Sequence, residues 1–366
     1  MATATSIEER NKLSFLEKVK LATVILVYAP FALVWALLTS PFSPYGRAKS
    51  WKRILADKFL YTLVTNSNRR QVRLFFGTTP KNYNDFIKTK GLEPVEEANF
   101  KLFWIGPKRN DRVLLYLHGG GFLIHMLPPT PAFWRYIQEG LEERGKPTGL
   151  AILDFTLIPD ALFPTQLEQT VAAIQHLLDS GVEPENIQLV GDSAGAALIH
   201  GVLMHLKHPL EGIPKLNLSA PFGGAFMFSL WARLVEKDGC LSANDGHGDF
   251  LNGRTLNYWG TSCMEGVPLA AVPYLEPNSA PEDWFEGCDK YVKRVLITAG
   301  EVEALRDEIV VYANTIKKHH NNVTLIVQEN GIHFDPYLDF FVNEKKIGKL
   351  TFAILDWIAE GVLEVV

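Results

Sequence analysis

The sequence predicts an α/β fold: a mostly parallel central sheet flanked by helices, with a helical cap. Three observations carry that expectation. From Asp111 onward, short apolar, β-rich runs alternate with longer helical patterns. The most strand-like run, Val113 to Leu117, ends in the glycine triplet of "VLLYLHGGGFLIHM". Another run, Ile187 to Val190, breaks at "GDSAG" and passes straight into a helical pattern.

In chain order, residues 1–45 read as an N-terminal membrane anchor. Within "KVKLATVILVYAPFALVWALLTSPF" the stretch Leu21 to Leu38 is uncharged and apolar on all sides, about the minimum for a bilayer span, and is entered by Lys18 and Lys20. Its rivals are an amphipathic helix packed on the protein's own cap and a cleaved signal peptide. The first needs a polar face, and the second a small-residue cleavage site where "SPFSPYGR" offers prolines. Cations are balanced across the run, with Arg10, Lys12, Lys18 and Lys20 before it and Arg47, Lys49, Lys52, Arg53 and Lys58 after, so charge does not orient it.

Residues 46–110 read as a cap or lid, with helical patches "WKRILADKFLYTLV" and "YNDFIKTKGL" and little strand character. Residues 111–366 read as the sheet-bearing domain, with strands expected at Val113 to Leu117, Leu150 to Phe155, Ile187 to Val190, Leu216 to Ser219, Val295 to Thr298 and Val323 to Val327. The aperiodic stretch at about 221–290, rich in Gly, Trp and Phe, reads as a second cap piece over the carboxyl edge of the sheet, where ligands sit in open α/β folds.

With 366 residues, 47% hydrophobic and 21% charged, the chain can bury a full core. A net charge of −5, with no run of Lys and Arg interleaved with aromatics, argues against nucleic acid as a partner. Cys240, Cys263 and Cys288 are too few and too scattered for a disulfide framework or a closely spaced metal site, though one lumenal disulfide is compatible with them.

The chemistry centres on Gly191 to Gly195. Gly-x-Ser-x-Gly between a strand and a helix is a nucleophile elbow, a strained corner that turns the hydroxyl of Ser193 away from the sheet. Attack on an ester carbonyl develops an oxyanion, which fixed backbone amides can approach closely where side chains are absent. Gly119, Gly120 and Ala194 are the expected donors. His118 reads as shaping the glycine loop, and His125 and His200 as structural. The nucleophile needs a general base held by a carboxylate, in the chain order serine, acid, histidine. His333 follows a strand end and a glycine in "ENGIHFDPYL", while Glu301, Glu303 and Asp307 crowd the loop after "RVLITAG". No metal or cofactor is called for.

These residues together resemble the hormone-sensitive-lipase-like branch of the α/β-hydrolases over about Val113 to Gly361. The likeness rests on "HGGGF", on "DFTLIPDALFP" where the family has Asp-Tyr-Arg-Leu-Ala-Pro-Glu, on "GDSAG", and on the pair "EALRD" and "GIHF". Most similar are the membrane-anchored fungal steryl acetyl hydrolases of the endoplasmic reticulum, which implies a membrane enzyme of that compartment with a lumenal domain. The resemblance implies Ser193 as nucleophile, His333 as base and Glu303 as acid, because Glu303 stands where the family has the first Asp of Asp-Pro-Leu-Arg-Asp. The exchange of Glu for that Asp keeps Glu301 in play, and Ala196 replaces a usual glycine.

The function expected is a serine hydrolase cleaving an acetyl or other short-chain ester of a hydrophobic alcohol through an acyl-enzyme. The alternative is an α/β-hydrolase of secondary metabolism acting on a polyketide, terpenoid or similar intermediate by deacetylation, cyclisation or thioester release. A non-catalytic ligand receptor on this fold is expected to lose a triad member, and none is missing. Phe226, Phe228, Trp231 and Trp259 are candidate contacts for a greasy substrate.

Overall fold

Strands buried on both faces need no polar alternation, which is why β3 (Val113–Leu117) reads VLLYL with every residue buried. The computed structural model describes residues 12–360; Arg10 and the outer ends of the anchor and sheet-bearing ranges, 1–11 and 361–366, lie outside the described residues. Around β3 the sheet holds β1 (Val95–Glu97), β2 (Leu102–Ile105), β4 (Gly149–Leu153), β5 (Ile187–Asp192), β6 (Gly224–Phe228), β7 (Val295–Gly300) and β8 (Val323–Gln328). Their order is β1-β2-β4-β3-β5-β6-β7-β8, antiparallel at the β1, β2 and β4 edge and parallel from β4 to β8. Parallel pairing aligns the carboxyl ends of β5, β6, β7 and β8, so the loops that follow them open on one edge of the sheet.

Three expectations shift. The sheet begins at Val95, inside the segment expected to be cap: β1 and β2 form a hairpin turned at Lys101, φ 52°, and β2 pairs with β4. The strand expected at Leu216 to Ser219 forms instead at Gly224–Phe228. Pro214 and Pro221 bracket the short "LNLS" run and supply no ladder donors, whereas "GAFMF" is free to pair with both β5 and β7. Phe226 and Phe228 therefore belong to the sheet rather than the cap. They pack with Trp134, Tyr337 and Trp357 beneath it, and the insertion opens only after Phe228.

The apolar run forms one continuous helix, Phe15–Phe42, whose most apolar 18-residue stretch has a mean hydropathy of 2.3 and is little buried. It turns back at Ser43 and continues into the helix Trp51–Asn66, which Ser50 caps at the Arg53 amide. There Arg53 is buried among Asp57, Asp335 and Asp339, and Lys49 also bonds Asp335. Asp335 stands two residues past His333, so this N-terminal segment grips the loop that carries the expected base.

Candidate active site

Ser193 sits between β5 and the helix Ala194–Lys207 with φ 52° and ψ −115°, a backbone conformation that costs a non-glycine residue on the order of 1–3 kcal/mol. The corner is held from both sides. Its amide donates to the Phe228 carbonyl at 2.9 Å, and its carbonyl accepts from the Trp231 amide at 3.2 Å. A β-carbon at Gly195 would lie 1.9 Å from the Leu117 carbonyl oxygen, so only glycine lets the helix start against the end of β3.

That close approach brings the glycine triplet beside the elbow. A β-carbon on Gly119 would lie 2.1 Å from an Asp192 carboxylate oxygen, and one on Gly120, φ 99°, 2.2 Å from the Ile124 carbonyl oxygen. The Asp192 carboxylate accepts from Tyr116 and from Tyr337 at 3.2 Å. Burial pushes the Asp192 carboxyl up to about 6 against these donors. The glycine loop thus packs directly against Asp192, the residue preceding Ser193. Gly121 faces Trp231 and Trp259, whose ring carbons would lie 3.3 and 3.0 Å from a β-carbon there, and its carbonyl accepts from Cys263.

Across β6, the loops after β7 and β8 meet. His333 Nδ1–H donates to Glu303 Oε1 at 2.6 Å, and both side chains are fully buried. Glu303 Oε2 accepts from the Gly300 amide at 2.7 Å and from Ser229 Oγ at 3.1 Å, while Ser229 Oγ accepts from the Phe334 amide at 2.9 Å. Ser229 immediately follows Phe228, the residue that holds the Ser193 amide. The other two acids point elsewhere: Glu301 accepts from the exposed Asn330 amide, and Asp307 meets Arg306 and Asn244.

A residue with no signal in the sequence joins them. Asp249, in the aperiodic insertion, accepts from the amides of Ala304 at 2.8 Å, Leu251 at 3.3 Å and His333 at 3.4 Å. One carboxyl therefore ties the cap to both loops. Burial first, then the neighbouring Glu303, pushes it up to about 7, with His333 opposing.

The other three histidines singled out in the sequence have local roles. His118 Nδ1–H donates to the Gly119 carbonyl at 2.7 Å and its ring stacks on Phe155, while His200 bonds the Pro273 carbonyl at 2.9 Å. Burial pushes both down to about 4. His125 reaches Thr79 Oγ1 at 3.3 Å.

Comparison with known proteins agrees with this architecture. Residues 114–334 match the family described as the α/β-hydrolase fold. An acetyl-hydrolase of Streptomyces hygroscopicus is 34% identical over 212 residues, covering 56% of this chain and 62% of that protein. Steryl acetyl hydrolase 1 of Saccharomyces cerevisiae is 23% identical over 253 residues, covering 64% and 56%. The chain thus matches less than two thirds of the length of these curated relatives. Among solved structures, an esterase from the bacterial hormone-sensitive lipase family superposes with a TM-score of 0.65 at 22% identity, over 85% of this chain and 98% of the other, a likeness of fold.

Proposed function

Because the chain belongs to the α/β-hydrolase fold family, we propose that it is a serine esterase that removes a short acyl group, acetyl above all, from a hydrophobic alcohol. The observation that carries this reading is the buried bond between His333 and Glu303 on the same sheet edge as the strained Ser193. Glu303 fixes the ring with Nδ1 protonated, which leaves Nε2 as the base. Ser193 Oγ gives its proton to Nε2 and attacks the ester carbonyl. The tetrahedral intermediate then collapses, the alcohol leaves with the proton from His333, and the acyl group stays on Ser193. Water, deprotonated by His333, attacks the acyl-enzyme, and the proton returns to Ser193 as the acid leaves.

Negative charge in both intermediates is met by backbone amides at the triplet and at Ala194. The donors assigned at the triplet are the amides of Gly119 and Gly120. Trp231 and Trp259 crowd Gly121, which supports a short acyl group. The names of the acetyl-hydrolase and steryl acetyl hydrolase relatives point the same way. The apolar helix Phe15–Phe42 supports a membrane location, where a greasy alcohol is concentrated.

The test is hydrolysis of p-nitrophenyl acetate by the purified chain and by Ser193→Ala. The proposal expects the variant to fall to background. Equal rates in both would end it.

A further inference from the structure

We infer that the helix Phe15–Phe42 lies along one leaflet of a bilayer, with both of its ends on the side of the catalytic domain, rather than crossing the membrane. The inference rests on the membrane location proposed above and specifies how the surface is used. A helix of 28 residues is about 42 Å long and could span a hydrocarbon core of about 30 Å. Spanning would place its two ends on opposite sides.

Both ends are held by the same domain. At the start, Glu17 Oε1 bonds Arg70 at 2.6 Å and Asn68 at 2.8 Å, and the Gln71 side chain donates to the Glu17 carbonyl at 2.7 Å. Just past the other end, Tyr45 bonds Asp57, and Lys49 bonds Asp335. Between these points Leu21, Val24 and Ala29 are buried against the domain, and the helix runs beside Trp51–Asn66. That partner carries Lys52 and Lys58, and Arg254 lies beside it. If the apolar helix crossed the bilayer, Lys58 and Arg254, which lie beside its middle, would be dragged to hydrocarbon depth, where a charge is costly.

Lying in the plane removes the conflict. The outward face bears Leu26 and Leu38, which are 73% and 64% exposed, and it meets lipid. The opposite face rests on the domain in water. The helix is apolar all round, so it is the docked pair of helices, rather than this helix alone, that is amphipathic. A groove of about 500 Å³ follows the seam, with Trp35 on the helix and Lys58 and Arg254 on the domain. Aromatic and cationic side chains side by side suit the level of lipid phosphates.

Two measurements on the full chain test this. In the first, purified protein is floated with phosphatidylcholine vesicles, alongside Leu26→Glu/Leu38→Glu. The expected result is that the wild type floats and the variant's bound fraction falls at least about tenfold, with p-nitrophenyl acetate turnover unchanged. A wild type that does not float, or that self-associates through this face without binding vesicles, overturns both the membrane location and the inference. In the second, tags at the two chain ends are probed with protease in intact microsomes. Both digested, or both protected until detergent is added, supports the in-plane arrangement. One digested and one protected overturns it while leaving the membrane location and the esterase chemistry standing.

Discussion

Asp249→Asn isolates the cost of the carboxyl that joins the cap to the site. Its ordinary value is 3.8 and the fold raises it to about 7, chiefly by burial. At about 1.4 kcal/mol per unit, keeping it ionised costs the native state on the order of 4 kcal/mol. Since the folded value lies above the unfolded one, that cost is full above about pH 7 and shrinks as pH falls toward 4. Asparagine has no such cost. It keeps one acceptor for the amides of Ala304, Leu251 and His333 and loses the other, at roughly 1–2 kcal/mol whatever the pH. The variant should therefore gain on the wild type by roughly 2–3 kcal/mol between about pH 5 and about pH 8.5. Urea unfolding followed by tryptophan fluorescence at the two pH values measures the change. A difference that stays flat between them refutes the reasoning, whatever its sign.

Other substitutions probe the remaining contacts. Glu303→Gln should lower kcat/KM about 10³–10⁴-fold on p-nitrophenyl acetate, and Glu301→Gln should leave it within about twofold, because of these two acids Glu303 alone bonds the His333 ring. Arg53→Met leaves the buried carboxylates of Asp57, Asp335 and Asp339 without their shared cation. It should cost about 3–5 kcal/mol in urea unfolding. Trp231→Ala and Trp259→Ala open space beside Gly121. Either should shift the ratio of kcat/KM for p-nitrophenyl octanoate over acetate by at least about tenfold toward the longer chain.

What the sequence disclosed divides by the range of the interactions involved. The Ser193 corner is local: five consecutive residues, Gly191 to Gly195, set its conformation and leave room for it, so a single stretch predicts it. His333 is nearly as local, as a strand end, a glycine and a turn present it in order. The choice between Glu301 and Glu303, two residues apart on one loop, depends on donors brought from afar. Ser229 Oγ lies 74 positions away in sequence, and composition of the loop says nothing about which acid it will meet. Asp249 is hidden for a different reason: its partners are backbone amides, which every residue but proline carries, so no partner side chain marks it. The displaced β6 belongs to the same category. "LNLS" and "GAFMF" are both short apolar runs, and the difference between them is whether prolines leave the ladder free to form against β5 and β7. The apolar helix is the reverse case. Its sequence specifies apolar surface in every direction, but how the helix is held depends on Glu17 meeting Arg70 at one end and Tyr45 meeting Asp57 past the other. Hydropathy records how much apolar surface a segment carries, and only tertiary contacts at its ends decide whether that surface crosses a membrane or lies along it.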